Sequence, residues 1–93
     1  MIRSFRDRRT ENIFLRVRVK GVSDNVQRAA LRKLVMLDAA ASLDDLRVPP
    51  GNRLEKLKGN RKDQCSIRVN DQWRICFVWS SGDSYHVEMT DYH

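Results

Sequence analysis

Glu55, Asp91 and His93 are side chains able to give or take a proton, and each stands near cations or an aromatic: Glu55 precedes Lys56, Lys58 and Arg61, while Asp91 and His93 flank Tyr92. Cleaving a ribonucleotide chain by its own 2′-hydroxyl needs such a set. A base takes the hydroxyl proton, an acid protonates the leaving 5′-oxygen, and cations hold the charge of the phosphorane-like state. Glu55, Asp91 and His93 are the candidates for proton transfer. Arg74, Lys58 and Arg61 are the candidate phosphate-stabilising cations, and Tyr92 could stack on a base or donate a proton. Lys56, Arg61 and Arg68 extend the same basic surface as RNA-binding candidates. Each residue also has a plainer reading, since a histidine in such a place is commonly a solvent residue and a tyrosine near a strand end commonly packs.

Nucleophile-elbow, P-loop, dinucleotide, H-E-x-x-H and EF-hand patterns are absent, which removes most familiar enzyme classes. Gly59-Asn60-Arg61 is too short to be a phosphate loop. Cys65 and Cys76 match no zinc spacing, and His86 and His93 are the only other soft ligands, so neither a metal nor a cofactor is expected. Both cysteines read as small buried residues of a reduced compartment.

The charge balance points to a polyanion. Eighteen Lys and Arg face twelve Asp and Glu, for a net charge of +6 and a pI near 9.9, as suits a nucleic-acid partner. The charge is unevenly spread. Residues 1–20 carry seven basic and two acidic side chains, and residues 47–74 carry eight and three; residues 75–93 have three acids and neither Lys nor Arg. Ninety-three residues form one domain, 1–93, with a single core. The mean hydropathy of −0.61, the lack of an apolar run near the ~20 residues of a membrane span, and the lack of a secretory h-region predict a cytoplasmic protein with no membrane partner.

The elements that must position these residues follow from periodicity. Ile2 to Arg6 alternates enough for a short strand. Asp7 can cap a helix from about Arg8 to Arg16, after which Leu15 to Lys20 is ambiguous between helix and strand until Gly21. Ser23 or Asp24 opens the strongest helix, with Asp24 and Gln27 at capping-box spacing and Val26, Ala30, Leu34, Leu37 and Ala41 in one stripe beside Leu31. Arg28, Arg32 and Lys33 lie largely off that stripe and read as a solvated face. Pro49-Pro50-Gly51 makes a loop that divides a helical half from a strand half. A less regular strand around Leu54 to Leu57 precedes strands over Cys65 to Val69, Trp73 to Trp79 and Tyr85 to Thr90. Asn70-Asp71-Gln72 and Ser80 to Ser84 supply hairpin turns, so the sheet is antiparallel there. With the aromatic-rich faces toward the helices, Arg68 and Arg74 point to the other face. Cys65 and Cys76 then fall on opposite faces and cannot pair. The expected class is α+β, with two N-terminal helices packed on a small, mainly antiparallel twisted sheet.

Pro49-Pro50-Gly51-Asn52-Arg53-Leu54-Glu55, Leu57-Lys58-Gly59-Asn60-Arg61, Ser66-Ile67-Arg68-Val69-Asn70-Asp71-Gln72-Trp73-Arg74-Ile75-Cys76-Phe77 and Asp91-Tyr92-His93 together resemble the HigB-type toxins of the RelE superfamily. Met1 to Phe5, Arg32-Lys33-Leu34 and Leu37-Asp38-Ala39-Ala40 match as well, so the resemblance covers nearly the whole chain. It implies the toxin of a type II toxin–antitoxin pair, a ribosome-dependent endoribonuclease acting on translated mRNA without a metal. It also implies a HigA-like helix-turn-helix antitoxin, through which the toxin would be linked to operator DNA. The family's functional positions fall on Lys58, Arg74, Asp91, Tyr92 and His93. Several family members carry a histidine where this chain has Glu55, which leaves Glu55 either as a base or as an ion-pair partner holding Lys58, Arg61 or Arg74. Two other readings stay open: a binding module that blocks translation or ribosome assembly without cutting RNA, and a related fold turned to another target, as in the gyrase-poisoning ParE branch.

Overall fold

Among the described residues, alternating apolar and polar side chains late in the chain build an antiparallel sheet of four strands in chain order: β1 (Glu55–Lys56), β2 (Gln64–Arg68), β3 (Trp73–Ser80) and β4 (Asp83–Asp91). The computed structural model describes residues 1–61 and 63–91. Two turns set the register. Asn70 Oδ1 accepts from the amides of Gln72 and Trp73, both at 2.8 Å, an Asx turn that places Arg68 directly opposite Arg74. Ser81 and Gly82 both have positive φ, the conformation a two-residue type I′ hairpin requires, and they bring Ser80 opposite Asp83. From these registers Glu55, Ser66, Cys76 and Glu88 form one row across the sheet. Arg68, Arg74 and Thr90 form the next on the same face. A bulge between Cys76 and Val78 gives β4 one extra residue, where His86 takes φ 54°.

The helices α1 (Arg8–Phe14) and α2 (Asp24–Ala39) pack on the opposite face, giving the expected α+β arrangement. Ile13, Leu34 and Leu37 from the helices meet Ile67, Ile75, Phe77, Val87 and Met89 from the sheet, all at most 2% exposed. Several boundaries differ from the sequence-based expectation. Ile2 and Phe5 make isolated parallel bridges to Ser84 and Val87 rather than a regular strand, because the β4 bulge interrupts the ladder they would follow. Leu15 caps α1 early and Arg16 turns left-handed. The ambiguous stretch after it is neither helix nor strand; it is clamped by Gln27, which accepts from Val19 N at 2.9 Å and donates to Val17 O at 2.8 Å. Gln27 is therefore not a capping-box residue, and Ser23 caps α2 alone. Ala41 lies beyond α2 and is exposed, since Asp45 accepts from the amides of Ala41 and Ser42 and draws the chain into a 3₁₀ turn over Leu43–Arg47. No helix of the described residues is long and apolar enough to cross a membrane.

The edge of β4 that faces away from β3 is also served by the helical half. Thr10 Oγ1 accepts from Met89 N at 2.9 Å and Arg9 Nη2 donates to Met89 O at 2.8 Å, so α1 completes the backbone bonding of β4 two residues before its end at Asp91.

The proline loop is fixed by one buried amide. Asn52 is fully buried at the end of a 3₁₀ turn over Pro50–Asn52. Its Nδ2 donates to Leu46 O at 3.2 Å, and its Oδ1 accepts from Lys33 Nζ at 2.6 Å. Asn52→Ala leaves that carbonyl and that ammonium without their partner, so a urea unfolding curve is expected to show a loss of about 2–3 kcal/mol. An unchanged midpoint would mean that water serves both groups equally well.

Candidate active site

Arg74 is the centre of the outer face, and the surrounding backbone grips it. Strand alternation turns its side chain away from Trp73 and Ile75, and that side chain is only 9% exposed. Its Nε donates to Ser66 Oγ at 2.8 Å, and its Nη2 donates to Arg53 O at 2.6 Å and to Ser66 O at 3.3 Å. Arg53 offers that carbonyl because it turns left-handed, at φ 45° and ψ 56°, directly after Asn52. The grip thus runs from Lys33 through Asn52 to the Arg53 carbonyl and Arg74. Glu55 Oε1 lies 4.0 Å from Arg74 Nη2, at the limit of an ion pair. Arg53, Glu55, Arg68, Asn70, Asp71 and Arg74 line a cleft of about 390 Å³.

The predicted residues fall into three groups. Arg74, Arg68 and Glu55 share the cleft, with Arg68 opposite Arg74 and paired with Asp71. Arg61 joins the same face from a 3₁₀ turn over Gly59–Arg61, donating to Glu88 Oε1 at 3.3 Å and to Gln64 Oε1 at 3.1 Å. Lys58 is exposed in the link just before that turn. Lys56 departs from the group. It pairs with Cys65, so alternation sends it to the helix side, where it borders a separate cavity of about 530 Å³ beside Leu43, Cys65 and Trp79. Asp91 ends β4 opposite Trp73, and its Oδ2 accepts from Gln72 Nε2 at 3.0 Å. It is one rung from Arg74, on the other parity. Tyr92 and His93 lie outside the described residues.

Sequence reasoning missed four participants. Ser66 and the Arg53 carbonyl hold Arg74. Glu88 holds Arg61, and its alternation with Val87 and Met89 was a readable signal that it shares the Arg74 face. Lys33 is not part of a solvated helix face: it is half-buried against Asn52. Burial, then the neighbouring charges of Arg32 and Arg68, lower its pKa. Arg28 and Arg32 are exposed, as expected.

The cysteines obey the predicted parity. Cys65 joins the main core, whereas Cys76 is buried apart from it, and both are free thiols. Burial raises the pKa of each, so both are poor nucleophiles near neutral pH. Among the described residues no group of three or more His, Cys, Asp and Glu side chains is placed to hold a metal ion. What the cleft offers is a fixed, nearly buried guanidinium with other cations around it, an arrangement suited to a phosphate whose negative charge grows during reaction.

Toxin HigB-1 of Vibrio cholerae is 52% identical over 61 residues, which cover 66% of this chain and 64% of that protein. An uncharacterized protein of Haemophilus influenzae is 36% identical over 62 residues, 67% of this chain and 61% of its own length. Both alignments therefore span slightly less than two thirds of those relatives. Endoribonuclease HigB of Proteus vulgaris is 35% identical over a 98-residue alignment spanning 100% of both chains. The model of a family described as the RelE-like toxin of type II toxin–antitoxin system HigB matches residues 3–93, and with the four-stranded antiparallel sheet beneath two helices the chain belongs to that HigB-like toxin family.

Proposed function

We propose that this chain is a ribosome-dependent endoribonuclease, the toxin of a type II pair, which cuts translated mRNA. The observation that carries the reading is Arg74, locked by Ser66 and Arg53 in a cleft that also holds Glu55 and Arg68. Family membership and the full-length similarity to an endoribonuclease support it. In the proposed reaction the 2′-oxygen of the substrate attacks the adjacent phosphorus, and the 5′-oxygen of the next nucleotide leaves. The hydroxyl proton passes to one group of Asp91, Tyr92 and His93, and the leaving oxygen receives a proton from another. Arg74, Arg61 and Lys58 stabilise the charge that accumulates between these events, and no metal takes part. Glu55 acts by holding Arg74, an assignment supported by their 4.0 Å separation. Arg68 and the basic rim bind RNA backbone; Lys56, on the other face, does not.

The single toxin domain acts in the cytoplasm, where the ribosome and its mRNA are the targets. A HigA-like helix-turn-helix antitoxin neutralises it by binding and connects it to operator DNA. The test is to map transcript 5′ ends minutes after induction without the antitoxin. New ends within coding regions, dependent on translation, are expected together with growth arrest. Arrest without new ends would replace cleavage by a non-cutting block of translation or ribosome assembly, and normal growth during confirmed soluble expression would overturn the toxin reading.

A further inference from the structure

Glu88 is an acid on the outer face that the proposed reaction does not use, and its two oxygens have separate partners. Its side chain is 12% exposed. Oε2 takes Arg6 Nη1 at 3.2 Å, whereas Oε1 takes Arg61 Nη2 at 3.3 Å and Thr90 Oγ1 at 3.0 Å. Arg61 comes from the turn that follows β1, at one edge of the sheet, and Glu88 lies on β4 at the other. The Arg61 side chain therefore crosses the face and passes over β3 near Cys76, the residue opposite Glu88. Cys76 is fully buried. Arg74 donates to Ser66 and Arg61 donates to Glu88, the two residues that flank Cys76 in its row across the sheet, so the two guanidinium groups approach one residue from either side.

We propose that Glu88 is a positioning residue that holds Arg61 beside Arg74, so that two cations rather than one face the scissile phosphate. The proposal rests on the endoribonuclease reading. A long side chain on a surface turn otherwise spends most of its time in other rotamers, and a cation stabilises a transition state best when it is already in place. A guanidinium has five N–H donors. Gln64 takes one through Nη1 and Glu88 one through Nη2, which leaves donors on the same fork for phosphate oxygens.

The test is single-turnover cleavage of mRNA on programmed ribosomes, with toxin concentration varied so that the maximal rate and the half-saturating concentration separate. Glu88→Gln is expected to lower the maximal rate about tenfold while moving half-saturation less than about threefold, because it loosens a preorganised cation rather than the docking surface. Arg61→Ala is expected to match it, and the double variant to be no slower than the slower single, as for two residues acting as one unit. Arg6→Ala, which touches only the other oxygen, should cut like the wild type. If Glu88→Gln proves too unstable to purify, Glu88→Asp takes its place, since it keeps the charge of the carboxylate but draws it one methylene back from Arg61. A wild-type maximal rate in either single variant, a multiplicative double, or an equal loss in Arg6→Ala would overturn the proposal while leaving the nuclease intact. Failure of the wild type to cut would overturn the nuclease reading and this proposal with it.

Discussion

An mRNA with a 2′-deoxynucleotide immediately before the scissile bond is expected to survive on the ribosome while its all-ribose counterpart is cut. In the proposed reaction the attacking group is the substrate's own 2′-oxygen rather than a side chain of the outer face, whose Cys76 thiol is buried and poorly nucleophilic. Deleting that oxygen removes the path instead of weakening it, and the cleavage rate should fall by at least on the order of 1000-fold. Loading of the message should change little, because one missing hydroxyl alters neither the backbone charge nor the base pairs. The all-ribose product should carry a 2′,3′-cyclic phosphate or its hydrolysed 3′-phosphate, with a 5′-hydroxyl on the downstream fragment. A 5′-phosphate, or undiminished cutting of the deoxy message, would require an activated water in place of this mechanism.

Arg74→Ala is expected to abolish toxicity and to weaken the fold at the same time. Removing one preorganised cation from a transition-state phosphate costs about 3 kcal/mol, on the order of 100-fold in rate. From strand parity alone the substitution would be expected to leave folding intact, since Arg74 faces away from the helical core. The structure revises this: Arg74 is the donor for Ser66 Oγ and the Arg53 carbonyl, and leaving those acceptors unmatched should cost about 1–3 kcal/mol of stability. Urea unfolding of the variant separates the two effects, because a variant still folded under assay conditions reports the chemistry alone. Arg74→Lys should recover charge but little activity, as an ammonium cannot reach Ser66 and Arg53 together as the planar fork does. Arg68→Ala should lose less, since Arg68 is tied to Asp71 at the cleft wall. Wild-type cutting by Arg74→Ala would show that the site lies elsewhere.

The third dimension also sorted the cations. Lys56, Lys58, Arg61, Arg68 and Arg74 are one basic surface when read along the chain. Pairing of Lys56 with Cys65 removes it to the other side, and the Glu88 contact carries Arg61 across to β3. Lys33 moved the opposite way, from a solvated helix face to a half-buried contact with Asn52.

What the linear sequence determined is what depends on neighbours close along the chain. The alternation in Cys65 to Val69 and Trp73 to Thr90, the turn chemistry of Asn70 and Gly82, and the apolar stripe of α2 specify the strands, their antiparallel order and the face on which Arg74 emerges. Opposite parity alone kept Cys65 and Cys76 apart. Tertiary structure decided what depends on distance in the chain. Arg53 meets Arg74 across 21 residues and Arg61 meets Glu88 across 27. A backbone carbonyl such as that of Arg53 has no letter in the sequence to announce it. Where helices end is likewise settled from outside: Gln27 anchors the chain between the helices and Asp45 draws it out of α2. The physical reason is that local periodicity reports which face a side chain takes, whereas the partner waiting on that face is chosen by strand register and loop closure, which only the packed chain supplies.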